Sequence, residues 1–286
     1  MPREGIMLCY PYETKRLQRW KQNFVYVQPK YNGERCRIIF TPNGPKLYSS
    51  EANEILHLPH LNEQLRSYDL NHFEEFDAEL YTHGMCREDI HSIVSRKVNQ
   101  HERSEDIKLY LFDTIDSVSI QTNRLRRLYD LETSRTTLPN IVFSPTFKAV
   151  SEARIETILC QQLEDGYEGI IIRNPNALYK RSRNIDIMKW KPMESDYYII
   201  TSFTEEKDKF GNPKGRLGSI HCKGDDGTEF DAGSGLSDAE RIYWWKEENK
   251  SRLILNIVHI QYQMKTRAMS LISPVILHIE DKTKEI

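Results

Sequence analysis

A chain of 286 residues exceeds what one compact core usually holds, so two domains are expected. Charged residues at 29% against hydrophobic ones at 38% give a soluble balance, and no apolar run is long enough to cross a membrane. The net charge of -2 means that a polyanionic partner must meet local basic patches rather than a basic whole.

The start, Met-Pro-Arg-Glu-Gly, lacks the basic-then-apolar pattern of a secretory signal. The five cysteines form no C-x-x-C pair, so reduced, mostly buried thiols and a cytoplasmic setting are expected. The first 23 residues are polar and carry Pro2 and Pro11, which predicts a loose lead-in with one short helix over Tyr12 to Lys21. Phe24 to Val27 reads as a strand. QPKYNGER, Gln28 to Arg35, follows it, and Asn32-Gly33 can turn the chain tightly. Arg35 to Phe40 reads as the next strand, joined by a turn at Thr41 to Gly44 to a strand from Lys46 to Ser49.

A short helix is expected from Leu61 to Tyr68. Phe76 to Tyr81 is a strand whose Asp77 and Glu79 share one face. Ile90, Ile93, Val94 and Val98 recur at helical spacing between Cys86 and Asn99. Lys108 to Asp113 reads as a buried strand ending in a carboxylate. Helices are expected over Gln121 to Ser134, with Arg124, Arg126 and Arg127 as a solvated face, and over Ser151 to Leu163, stopped by Gly166. Glu168 opens an acidic turn that feeds a strand to Arg173. Tyr179 to Arg183 is a basic loop, and Met188 to Pro192 puts Lys189 and Lys191 on one face of a strand.

Composition shifts after Pro192. Glu194 to Ile286 alternates short strands with glycine-rich turns, as in a small β-barrel. One helix interrupts it, started by the capping-box spacing of Ser237 to Glu240, with Trp244 and Trp245 as packing residues. The expected division is 1–192 and 193–286.

Taken alone, the octet around Lys30 also fits an ordinary surface lysine, Asp77 and Glu79 fit solvated edge-strand carboxylates, and Phe112 fits a core position. Together, Lys30, the carboxylates Asp77, Glu79 and Glu168, and the late lysines Lys189 and Lys191 make a site for a nucleoside triphosphate. Carboxylates hold a hard divalent metal that bridges phosphates. Clustered cations and desolvation lower a lysine's pKa and so create a nucleophile. Phe112 could stack on a base. His57 and His60 lack further ligands at zinc spacing.

These motifs resemble those of the ATP-dependent DNA ligases of the covalent nucleotidyltransferase superfamily, in the small phage- or virus-like form. KYNGER resembles K-x-D/N-G-x-R, FDAELY resembles F-D-G-E-L, LYLFD the adenine-stacking strand, EGIIIR the metal-binding E-G motif and MKWKP the K-x-K motif. GRLGSIHCKGDDGTEFDAGSGLSDAER resembles the family's oligonucleotide-binding barrel. The resemblance implies an α+β nucleotidyltransferase (adenylation) domain with antiparallel sheets, followed by an all-β OB-fold barrel that swings between ATP and the nick. It implies that Lys30 attacks ATP and carries AMP, and that Lys189 and Lys191 assist at the α-phosphate. Gln28, Arg35, Glu79 and Phe112 would hold the nucleotide, and Glu168, Glu79 and Asp77 a magnesium ion, with manganese able to replace it. Lys180, Arg181 and Arg183, with Lys214 and Arg216 on the barrel beside Lys207 and Lys209, would track phosphates of nicked duplex DNA. A monomer is expected, with no membrane and with replication or repair factors as further partners.

Four positions depart from the family pattern. Asn32 stands for a common aspartate and Ala78 for a common glycine. Ser50 lies near a common arginine. Ile279 replaces the arginine of R-x-D-K, leaving Asp281 and Lys282 with only part of that motif's role. Rival readings are an RNA-sealing ligase, a GTP-using capping enzyme and a non-catalytic DNA-binding module.

Overall fold

The computed structural model describes residues 5–68, 74–133, 138–263, 265–266 and 268–280. The chain divides into two compact units, Met1–Lys191 and Pro192–Ile286.

In the first unit the strands are β1 (Leu8–Pro11), β2 (Val25–Lys30), β3 (Glu34–Thr41), β4 (Gly44–Ser49) and β5 (Glu75–Tyr81). They continue with β6 (Lys108–Thr114), β7 (Ile141–Phe143), β8 (Phe147–Ala149), β9 (Gly169–Arg173) and β10 (Arg183–Trp190). The helices are α1 (Thr14–Arg19), α2 (Pro59–Arg66), α3 (Arg87–Val94), α4 (Gln121–Thr133) and α5 (Glu152–Glu164). Two five-stranded sheets form, in the orders β1-β10-β9-β2-β8 and β4-β3-β5-β6-β7. Most pairs are antiparallel, but β1–β10 and β6–β7 run parallel, so the sheets are mixed rather than purely antiparallel.

The predicted lead-in is more ordered than composition alone implies. Leu8–Pro11 joins the first sheet as an edge strand, with Ile6 and Met7 each 1% exposed beneath it. Helix α5 forms as its sequence dictates. Ser151 caps it by accepting the Arg154 N–H at 3.2 Å, and Ile155, Ile158 and Leu159 bury one face on the first sheet. Each such side chain contributes about 1.5–3 kcal/mol on burial. Gly166 follows its end at φ +83°, a backbone shape open to glycine at little cost. Helix α3 stops at Val94, so Val98 is 83% exposed instead of continuing the apolar stripe.

Helix α4 also departs from expectation. Arg124 is not part of a solvated face but is 1% exposed, while Arg127 pairs with Glu74 at 2.5 Å.

The second unit is one antiparallel sheet in the order β13-β12-β11-β14-β15. Its strands are β11 (Glu194–Lys207), β12 (Pro213–Lys223), β13 (Glu229–Ala232), β14 (Ile257–Tyr262) and β15 (Val275–Ile279). Two helices, α6 (Asp238–Trp245) and α7 (Glu247–Leu253), stand where one was expected. The Ser237–Glu240 capping box opens α6, and Trp244 and Leu253 pack into the sheet's core. Ile279 is 3% exposed in that core, which gives a packing reason for an aliphatic side chain there. Asp281 and Lys282 lie outside the described residues.

Candidate active site

Lys30 ends β2, and after three intervening residues β3 begins in the other sheet, so the octet is the passage between the two sheets. Gly33 serves close approach: a Cβ there would lie 2.2 Å from the Leu80 carbonyl oxygen and 3.0 Å from Glu79 Cγ. That is a steric demand, different from the turn shape that sequence reasoning assigned to it.

Lys30 pairs across the sheet with Gly169, and the Glu168 N–H donates to the Lys30 carbonyl at 3.2 Å. The Glu168 side chain is thereby set beside the lysine, and Lys30 Nζ donates to Glu168 Oε2. Lys191 Nζ donates to Glu168 Oε1 at 2.8 Å. A Cβ on Gly169 would meet the Trp190 carbonyl oxygen at 2.3 Å, so glycine lets β9 and the end of β10 close to this distance. Burial pushes the Glu168 carboxyl up, but Lys30 and Lys191 together outweigh it and hold its pKa below the usual value. Lys189, on β10, is lowered by burial first and then by the charges of Lys191 and Lys30.

Glu79 pairs across the sheet with Arg35 on one side and Tyr110 on the other. Burial raises its carboxyl to about 7, against the pull of Arg35 and Lys30 and with help from Asp77 and Glu34. Between the ordinary 4.5 and 7 the folded chain keeps a proton that the unfolded chain releases. The stabilising contribution is complete below the ordinary value and is lost as pH rises through 7, by up to about 3 kcal/mol. Glu79→Gln should therefore gain on wild type in urea unfolding between pH 5 and 7.5. Parallel pH profiles for the two proteins would refute the assignment.

Asp77, expected at a metal, holds Arg35 and Tyr179 in the structure. It is fully buried, and it accepts Arg35 Nε on Oδ1 and Nη2 on Oδ2, both at 2.5 Å. Tyr179 donates its hydroxyl to Oδ2 at 2.5 Å. Both oxygens are occupied by this structural role. Glu79 and Glu168 lie near Lys30, the two Glu168 oxygens accepting from Lys30 and Lys191, and two carboxylates would suit a magnesium ion. Among the described residues no cluster of three metal-type ligands forms.

Phe112 sits at a bulge, where Asp77 pairs with Asp113 and Ala78 with Leu111. The ring is 7% exposed, with the guanidinium carbons of Arg35 and Arg173 at 4.7 and 5.3 Å from its centre. The ring expected to stack on a base is thus mostly covered in the structure and flanked by two cations. Gln28 acts through its side chain as well as its backbone. It donates to the Phe112 carbonyl at 3.1 Å and Thr146 at 2.9 Å, and accepts Arg173 Nε at 2.6 Å.

Sequence reasoning missed the charge cluster beneath this layer. Asp113 accepts Arg124 Nε at 2.8 Å and Arg173 Nη1 at 3.0 Å, with all three side chains at 3% exposure or less. The buried strand ending in a carboxylate was the available signal, since a buried charge needs a partner. Asp113→Ala would leave two buried guanidinium groups uncompensated and should cost about 3–5 kcal/mol in urea unfolding. A loss below about 1 kcal/mol would remove the cluster from the fold's supports.

The basic residues expected on DNA are mostly engaged within the chain. Arg181 donates to both oxygens of Glu75, at 2.8 and 3.0 Å, and Arg183 to the Cys9 carbonyl at 2.7 Å, while Lys180 is exposed. Lys214 and Arg216 pair with Glu206 at 2.6 and 2.7 Å, and hydrogen bonds from Arg216 and Lys214 hold that carboxyl down at about 2. Glu206 lies on the strand preceding the hairpin turn, so strand pairing, not sequence proximity, brings it to them.

Two family models match these two parts of the chain. The ATP dependent DNA ligase domain matches residues 6–191, the span that holds Lys30, Glu79, Glu168 and Lys191. The chain belongs to the ATP-dependent DNA ligases. The DNA ligase OB-like domain matches residues 210–279 of the same ligase, and the two domains imply DNA binding. The DNA ligase of Haemophilus influenzae is 27% identical over 241 residues, 82% of this chain and 80% of that protein. A DNA ligase of African swine fever virus is 26% identical over 193 residues, 63% of this chain but 45% of the viral protein. In fold, the ligase resembles a Lig E DNA ligase structure with a TM-score of 0.78 at 22% identity, over 97% of this chain and 99% of that one. The bacteriophage T7 ATP-dependent DNA ligase in complex with ATP gives a TM-score of 0.58 at 16% identity, over 96% and 98% of the two chains.

Proposed function

We propose that this ligase seals nicks between a 5′-phosphate and a 3′-hydroxyl in duplex DNA, through AMP carried on Lys30 and then on the DNA. The observation that carries the reading is the contact of Lys30 and Lys191 with the two oxygens of one carboxylate, Glu168, at adjoining strand ends. A lysine so placed stands beside a second lysine on one shared carboxylate, which can hold its nitrogen in line for attack on phosphorus. Lys30 Nζ forms a bond to the α-phosphorus of ATP, and the bond to pyrophosphate breaks. AMP then passes to the 5′-phosphate, and the 3′-hydroxyl displaces it as the backbone closes. Lys189 and Lys191 would neutralise charge on the α-phosphate, and Arg35 would hold the ribose or a phosphate. Glu168 and Glu79 would hold magnesium, which when bound neutralises charge on the phosphates.

Lys180 and the neighbouring arginines would follow the DNA backbone, so binding should weaken steeply with salt. Free cysteines throughout the chain accord with a cytoplasmic enzyme, which we place there as a monomer.

The test is incubation with magnesium and α-labelled ATP, then denaturing electrophoresis and mapping of the label. Label on Lys30 that chases onto nicked DNA with a sealed product is the expected result. A protein stripped with pyrophosphate that still takes no label would overturn the reading and favour a non-catalytic DNA-binding module.

A further inference from the structure

Arg35 is held by a closed ring of hydrogen bonds drawn from four separate parts of the first unit. Asp77, on β5, takes its Nε and Nη2. The Met7 carbonyl, just before β1, takes Nη2 at 3.2 Å. The Met7 N–H donates to the Tyr179 hydroxyl at 2.9 Å, and that hydroxyl donates to Asp77 Oδ2 at 2.5 Å. Both polar groups of one residue's backbone are thus used, one on Arg35 and one on Tyr179. Tyr179 is 2% exposed and Met7 1%, so water is excluded from both. The strand that begins at Leu8 is fastened to the same loop: the Leu8 N–H donates to the Ser182 carbonyl at 3.0 Å, and Arg181 to the Gly5 carbonyl at 2.9 Å.

We propose that Tyr179 is a positioning residue for Arg35 in the ATP step, acting through Asp77 and the Met7 backbone. The inference rests on the reading of Arg35 as a nucleotide contact. Arginine has a long, freely rotating stem, and its guanidinium discriminates only when its plane is fixed. Asp77 alone fixes two of its nitrogens, but a carboxylate is itself free to rotate. Tyr179 pins Oδ2, and the Met7 carbonyl takes a second hydrogen bond from Nη2, the nitrogen that faces that oxygen. The Tyr179 ring could fill its site without the hydroxyl, so the oxygen is there for its hydrogen bonds. Its loss would leave the Met7 N–H buried without a partner and release one constraint on the Asp77 plane. Arg35 meets the nucleotide before and during the attack, so loosening it removes binding common to both states. The signature is a higher half-saturating ATP concentration with little change in the maximal rate.

The experiment measures single-turnover formation of the lysine-bound AMP against ATP concentration in wild type, Tyr179→Phe, Arg35→Ala and the double variant, with thermal midpoints alongside. Tyr179→Phe should raise the half-saturating concentration about tenfold. It should add little to Arg35→Ala, because both act through one guanidinium. An unchanged half-saturating concentration in Tyr179→Phe, or an effect that fully adds to that of Arg35→Ala, overturns the proposal. If Arg35→Ala itself leaves the ATP dependence unchanged, the nucleotide role of Arg35 fails first, and the two failures are thereby told apart. Should Tyr179→Phe not fold, Asp77→Asn tests the same ring at its other member: it too must raise the half-saturating concentration and not add to Arg35→Ala.

Discussion

Lys30→Ala will take no label from α-labelled ATP, a fall of at least about a thousandfold, because the group that bonds to phosphorus is gone and Lys191 stays paired with Glu168. The fold should tolerate the change. The Lys30 side chain is 20% exposed, and Glu168 keeps Lys191 as a partner at 2.8 Å when Lys30 is removed. Binding to nicked DNA should survive at least in part, since it draws on basic residues elsewhere. Lys30→Arg sharpens the result. It keeps a cation beside Glu168 but cannot lose its proton at accessible pH, so it should remain unlabelled as well. A Lys30→Ala protein that becomes adenylylated at the normal rate would sink the assignment of the nucleophile.

The motifs lie where strands end, and this is why so much of the site was legible. KYNGER, the turn before EGIIIR and the end of MKWKP each set a charged residue at the end of a strand-like run. A strand end beside a charge is a local pattern, readable without knowing the partner strand. What was not legible depends on pairing. Asp77 and Glu79 alternate onto one face, as read, yet they differ in fate because Tyr179, itself held by the Met7 N–H, reaches Asp77 from a distant segment. Arg124 occupies a helix position that looks solvated by composition, and only the arrival of Asp113 beneath α4 makes burial affordable. The lead-in was read as loose because Pro2 and Pro11 dominate its composition, while the pairing of Leu8–Pro11 is with β10, which begins only at Arg183. Lys214 and Arg216 looked like DNA contacts because their carboxylate, Glu206, lies across a hairpin from them.

Glu168→Ala should cost the adenylylation step about a thousandfold or more, and no magnesium concentration should restore it. Under the proposed reaction the carboxylate would have two tasks that share the same oxygens. In the structure it accepts from Lys30 and from Lys191, and its lowered pKa shows that these cations outweigh its burial. Without it, Lys30 and Lys191 face each other with no counter-charge between them, and Lys189, already lowered by both, adds to the repulsion. Under the proposed reaction, Lys30 would then lose the group that orients it, and a magnesium ion would lose a ligand. Glu168→Gln separates the two causes. An amide oxygen can still accept a hydrogen bond from lysine, but it brings no charge to balance the cations or the metal. If orientation dominates, Gln recovers much of the rate at high magnesium; if charge dominates, Gln is as poor as Ala. We expect the second, because two lysines converge on a single carboxylate that is largely removed from solvent, where an uncompensated charge costs most. Normal single-turnover adenylylation by Glu168→Ala across a magnesium titration, in protein of unchanged thermal midpoint, would remove Glu168 from the site and with it the observation on which the nick-sealing reading stands.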